Sequence, residues 1–142
     1  MVIELERMLI KISYIREQVF GIRKLLAEQS KEEILADPWL VRGLKYALQT
    51  SVEAMVDIAY HISAKEYNHA PSEARDAIKV LVDNGLVSRK DLPVYGAMIG
   101  FRNRVVHGYQ EVTPERVYEI AEQELGDFET FIRQVAVLLK NK

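Results

Sequence analysis

The chain has 142 residues, 49% of them hydrophobic and 28% charged, with 7 Gly, 4 Pro and no Cys. The lack of Cys excludes disulfides, thiolate nucleophiles and Cys-based zinc sites, and the length suits one domain, expected to span residues 1–142. A formal net charge of −2, from 19 basic and 21 acidic residues, argues against holding nucleic acid by a bulk basic field. It leaves room for contact at a small basic cleft.

Charges recur from the start, at Glu4, Glu6 and Arg7, so the first residues do not read as a signal peptide. No run approaches the ~18 uninterrupted apolar residues of a membrane span. The expectation is a cytoplasmic protein with no membrane association.

Helical periodicity runs from end to end. Leu5, Met8, Ile12, Ile15, Val19, Ile22 and Leu26 recur at spacings of three and four, one stripe of a helix over about 2–29. Ser30 and Glu33 form an S-x-x-E capping box opening a short helical turn. Asp37-Pro38 supplies an N-cap and an N1 proline for a second long helix, with Val41, Leu44, Leu48, Val52, Met55, Ala59 and Ile62 as its stripe. The irregular stretch 63–72 reads as a surface loop.

A third helix is expected after Pro71-Ser72, capped by Ser72, with Glu73 and Asp76 near its positive end and Asn84-Gly85 as its stop. Its apolar residues are Ala74, Ala77, Ile78, Leu81 and Val82. Ser88 or Asp91 caps a fourth helix, which carries Val94, Met98, Ile99 and Phe101 and ends near Gly108. Thr113-Pro114 opens a fifth, with Val117, Ile120, Phe128, Phe131, Ile132, Val135, Leu138 and Leu139 facing inward. Gly126 costs that helix about 1 kcal/mol relative to Ala. No hairpin signal competes, so the expected fold class is an all-α bundle of four to five helices.

The most unusual segment is Gly100-Phe101-Arg102-Asn103-Arg104-Val105-Val106-His107-Gly108-Tyr109. Arg binds phosphate oxygens with a planar, always charged fork, and His exchanges protons near neutrality. Together they suffice for attack of an RNA 2′-hydroxyl on the neighbouring phosphodiester without a metal. Five residues apart, Arg102 and His107 stand about 140° round an ideal helix. They share one site if the helix ends between them, or if two copies meet across a two-fold axis. The plain alternative is an arginine capping the helix's last carbonyls, with His107 covering a bundle end.

Arg102-x4-His107-x-Tyr109, with Asn103 directly after the arginine, resembles the R-x4-6-H signature of the HEPN superfamily. In its R-x4-H-x-Y form it is similar to the HepT toxin family. Leu35-Ala36-Asp37-Pro38 through Leu48-Gln49, Asp57-Ile58-Ala59, His61-Ile62, Met98 through Asn103 and Val112 through Tyr118 fit the same family. The resemblance therefore covers nearly the whole chain.

It implies a HEPN-type up-and-down bundle that forms homodimers, the R-x4-H segments of both copies building one composite cleft. It also implies a metal-independent endoribonuclease toxin of a type II toxin–antitoxin pair, needing no cofactor, with transfer RNA among proposed substrates. The implied partner is a minimal nucleotidyltransferase antitoxin that silences the toxin by moving AMP from ATP onto the motif tyrosine. Carried over, His107 transfers protons, Arg102 stabilises the phosphate, Asn103 gives polar support and Tyr109 accepts AMP. Arg104 is a phosphate-positioning addition. The competing reading is a non-catalytic nucleotide-binding or substrate-presenting subunit for that nucleotidyltransferase, which the slightly acidic charge favours.

Other residues carry less. Glu66-x-x-His69 matches the ligand pair of di-iron bundles but stands alone, beside Ala70-Pro71, and reads as a solvated loop. Asp57 and His61, at i and i+4, read as an ordinary pair, and Glu53 extends their face; whether it reaches the cleft is left open. Trp39 reads as an anchor near a helix start rather than a stacking platform.

Overall fold

A computed structural model describes residues 3–108 and 111–140. Among them are seven α-helices: α1 (Leu5–Glu28), α2 (Lys31–Leu35), α3 (Pro38–Glu66), α4 (Ala74–Asp83), α5 (Leu92–His107), α6 (Pro114–Gln123) and α7 (Gly126–Leu139). A 3-10 turn at Arg89–Asp91 leads into α5.

Local chemistry explains several of the starts and stops. Ser30 and Glu33 make the reciprocal capping box, Asp37 accepts from the Trp39 and Leu40 amides, and Thr113 accepts from the Arg116 amide. Gly85 (φ 78°) and Gly108 (φ 68°) take the left-handed conformation that closes α4 and α5.

The long helix α3 packs against each of the other six. Its buried row of Leu44, Leu48, Val52, Met55, Ile58, Ala59 and Ile62 meets Met8, Ile12, Ile15 and Ile22 of α1 and the apolar faces of the later helices. Three bonds hold α1 to α3: Glu4 N–H to His61 Nε2 (3.0 Å), Lys11 to Asp57 (3.1 Å) and Tyr14 Oη–H to Thr50 (2.7 Å). As the α1 number rises the α3 number falls, so the two run antiparallel. At the other end of the core, the Tyr95 ring meets Phe131 edge-on while its hydroxyl donates to Gln134 (2.7 Å), and Gln134 donates to Asp91 (2.8 Å).

The structure corrects several expectations. The last helix is two: Glu124 leaves helical geometry (φ −117°, ψ 7°) and the chain resumes at Gly126. Gly126 weakens the helix there, and Arg116 pairs with both Glu119 and Glu124 to hold the junction. With α2 counted as a helix, four to five helices become seven. Ser72 does not cap α4; Glu73 stands at the cap, and Asp76 reaches back to accept from the Ser72 amide (2.9 Å) and from His69. The second long helix runs on to Glu66, because Ser63 is buried and ties the following turn down through the His69 amide and carbonyl. Trp39 is 76% exposed and sits against Arg42 rather than anchoring in the core.

Asp57 and His61 do not pair with each other. His61 is buried, and its Nε2 must stay unprotonated to accept the Glu4 amide. Burial pushes its pKa below the ordinary value, helped by Arg7 and Lys65 and opposed by Glu4. The unfolded chain then takes up a proton first, so the stabilisation is full above the ordinary His value of about 6.5 and falls as pH drops through the folded value. The Tm of the wild type is therefore expected to fall more steeply than that of His61→Gln between about pH 7.5 and 5.5. Parallel Tm curves for the two proteins would show that His61 is not the group responsible.

Candidate functional site

Helix α5 buries Tyr95, Met98, Ile99 and Phe101, which fixes its rotation and turns Arg102, Asn103 and Arg104 towards its partly open flank. The helix continues without interruption to His107, its last helical residue, and closes on Gly108. A helix end between Arg102 and His107, one of the two routes to a shared site, is therefore ruled out within one chain. Tyr109 lies outside the described residues.

Arg102 is held by the spine of the fold. Its Nε donates to Glu53 Oε2 on α3 at 2.8 Å, and Nη1 makes a longer 3.4 Å bond to Asn103 Oδ1. Gln49 donates to the same Glu53 oxygen at 3.4 Å. Both partners are about one-third exposed, so the pair is wet enough to form without a heavy desolvation cost and ordered enough to aim the guanidinium. A guanidinium has five N–H donors, and Nη2 of Arg102 has no partner among the described residues. Glu53 thus pins one edge of the fork and leaves the other for an incoming oxyanion.

Around this pair lies a depression of about 120 Å³, lined by Val52, Glu53, Val56 and Asp57 of α3, Ala74 of α4, and Ile99, Arg102 and Asn103 of α5. It is a shallow, charged notch at a three-helix junction. A larger hollow of about 470 Å³ between α1 and α3 is lined by Phe20, Trp39 and Leu40 and lies apart from these groups.

His107 is exposed, one turn beyond Asn103 on the same face of α5. Asn103 thus links the two flanks, bonding Arg102 on one side and preceding His107 on the other. Arg104 lies on the far side of His107, about 60° round the helix. Val106, 42% exposed, leaves an apolar surface beside them. Elsewhere, His69 bonds Asp76 at 3.1 Å, so the Glu66-x-x-His69 histidine serves the start of α4.

The sequence leaves two residues near the site without a role. The spacing puts Glu53 on a helix face without saying what it meets. Arg75 carries no motif of its own, although Gly96 and Gly100, one helical turn apart, signal a close approach by some neighbour; that neighbour is Arg75, which donates to the Gly96 carbonyl at 3.0 Å.

The model of the family described as Ribonuclease HepT-like matches residues 15–135. A protein of Shewanella oneidensis named mRNA nuclease HepT is 36% identical over 122 residues, 86% of this chain and 90% of that protein. Among solved structures, a tri-AMPylated Shewanella oneidensis HEPN toxin in complex with MNT antitoxin superposes with a TM-score of 0.83 at 29% identity, covering 92% of this chain and 97% of that one. A toxin–antitoxin structure with AMP-PNP gives 0.80 at 27% identity, over 92% and 96%. All-helical architecture and similarity over nearly the full length together make this chain a member of the HepT-like family.

Proposed function

We propose that the chain, as one domain over residues 1–142, is a metal-independent endoribonuclease toxin that works as a cytoplasmic homodimer. The observation that carries the reading is Arg102, fixed by Glu53 with one edge of its fork open, on the same helix end as His107 in a HepT-like fold. The relative named an mRNA nuclease supports RNA as the substrate.

In the proposed reaction an RNA 2′-hydroxyl attacks its own 3′-phosphorus. The 2′-O–P bond forms, the P–O5′ bond breaks, and the ends left are a 2′,3′-cyclic phosphate and a 5′-hydroxyl. Arg102 neutralises the non-bridging oxygens as charge builds on them. A histidine takes the 2′-hydroxyl proton, and a proton donor supplies the leaving 5′-oxygen. Because Arg102 and His107 diverge around one helix, a second copy packed on the exposed end of α5 completes the cleft, with Val106 providing an apolar footing. Asn103 supports the arginine, and Arg104 adds positive charge.

The partner is a minimal nucleotidyltransferase antitoxin, and Tyr109 is the AMP acceptor. The solved relative that is tri-AMPylated and in complex with an MNT antitoxin supports this. An adenylate two residues beyond His107 would bring a negative phosphate and a bulky base to the arginines that otherwise hold RNA.

His107→Ala is expected to lose about 10²–10⁴-fold in RNA cleavage measured in EDTA. Arg102→Lys should also cut poorly, since a point charge does not replace the fork. Equal cleavage by wild type and both variants would refute these roles. Glu53→Ala removes an acid next to the cleft, so a purely electrostatic role would speed cleavage; the positioning role predicts a loss of about tenfold, roughly 1.4 kcal/mol. With ATP, magnesium and the nucleotidyltransferase, intact-mass analysis should show added AMP that Tyr109→Phe abolishes, and persistence of all the added mass would place the acceptor elsewhere.

A further inference from the structure

Arg75 is the second residue of α4, yet its guanidinium lies on α5. Glycine makes this possible. A Cβ at position 96 would stand 3.7 Å from Arg75 Nε, and one at position 100 would stand 3.2 Å from Arg75 Nη2. The same point above Gly100 is 3.9 Å from Arg104 Nη1. Positions 96, 100 and 104 form one row at i, i+4 and i+8, so two guanidiniums from different helices converge over a notch the size of a missing methyl group.

This convergence is unusual in its charge. Among the described residues neither Arg75 nor Arg104 has a carboxylate within ion-pair distance, and the one hydrogen bond of the Arg75 side chain is to the Gly96 carbonyl. The nearest acid along α4, Asp76, is engaged with Ser72 and His69. Two cations held side by side without an acid repel each other, and an anion between them removes that cost. A tetrahedral phosphate offers oxygens to both forks. The pair also has the right neighbours. Gly100 lies within about 20° of His107 around α5, and Ala74, adjacent to Arg75, lines the depression that holds Arg102 and Asn103.

We propose that Arg75 and Arg104 form a second phosphate subsite, which grips a phosphodiester of the RNA chain next to the one cut at Arg102 and His107. This rests on the ribonuclease reading and extends it. The subsite sets how the strand runs over the cleft, along the α5 row towards α4. It also supplies the local cationic grip that a chain of net charge −2 does not provide through its overall field.

The test uses the unmodified full-length protein and a single-stranded 2′-O-methyl RNA, which binds but has no 2′-hydroxyl to react. Using unmodified protein separates RNA phosphate from the phosphate of a tyrosine-bound adenylate. The double variant Arg75→Gln/Arg104→Gln is expected to bind at least about tenfold more weakly. The slope of log K against log salt should flatten by about 0.7, as expected when one phosphate fewer is neutralised on a single strand. Arg75→Lys/Arg104→Lys should recover the slope and part of the affinity. Gly100→Leu keeps both charges but occupies the notch; its Cβ would stand 3.2 Å from Arg75 Nη2, the flexible end of a side chain that must move aside, so affinity should fall severalfold. Gly100→Leu decides the matter if the double variant does not fold. Unchanged affinity and slope in the folded double variant, or full affinity in Gly100→Leu, with wild type still cutting RNA, would overturn the subsite alone. A wild type that neither binds nor cuts RNA would overturn the ribonuclease reading and the subsite with it.

Discussion

The packing of the described residues is organised around α3. α3 is 29 residues long, about 43 Å, and each of the other six helices rests on it. Its Leu44, Leu48, Val52, Met55, Ile58 and Ile62 are almost fully buried, and each such burial is worth roughly 1.5–3 kcal/mol, so the stripe is the main source of cohesion. The same helix, on a flank that is only half buried, sends Glu53 to Arg102. The orientation of the arginine is thus fixed by the element that can least easily move. Polar bonds from α1 at Glu4, Lys11 and Tyr14 keep that element in register.

The slightly acidic composition and an RNA-directed site are compatible because the charges are segregated. Several acids elsewhere have local partners: Glu129 has Arg16, Asp83 has Lys79 and Arg89, and Asp76 has Ser72 and His69. At the end of α5 the balance reverses. Arg75, Arg102 and Arg104 gather there, and Glu53 is the one carboxylate, among the described residues, that bonds any of the three. A cleft charged this way favours phosphate over a short range, and its hold weakens with salt, without making the whole protein a polyanion binder.

Much of the architecture was legible in the sequence because helix packing leaves a spacing of three and four, and because Ser30, Asp37, Thr113, Gly85 and Gly108 sit where caps and stops require them. The break before Gly126 was not. Val117, Ala121, Leu125, Phe128, Ile132, Val135 and Leu139 keep the same spacing straight across it, so periodicity cannot see the junction; only the low helix propensity of Gly126 and the acid cluster paired by Arg116 mark it. Ser72 misled because the carboxylate of Asp76 took over the bonding one residue away from the usual cap. The R-x4-H-x-Y motif drew attention to Arg102 and His107, but the partners of the arginines depend on how α3, α4 and α5 cross. Glu53 and Arg75 lie 49 and 21 positions from the α5 residues they touch, and no local pattern encodes that.

In the proposed reaction the α5 end cleaves RNA through the substrate's own 2′-hydroxyl, with side chains alone handling charge and protons. The most direct measurement is the chemistry of the cut ends after wild-type protein has acted on RNA in EDTA. Attack by the 2′-hydroxyl leaves 2′,3′-cyclic phosphate and 5′-hydroxyl termini, and RNA that is 2′-O-methylated at the cleavage position should resist completely. Termini carrying 5′-phosphate and 3′-hydroxyl, or cleavage of the 2′-O-methylated strand, would contradict this reaction.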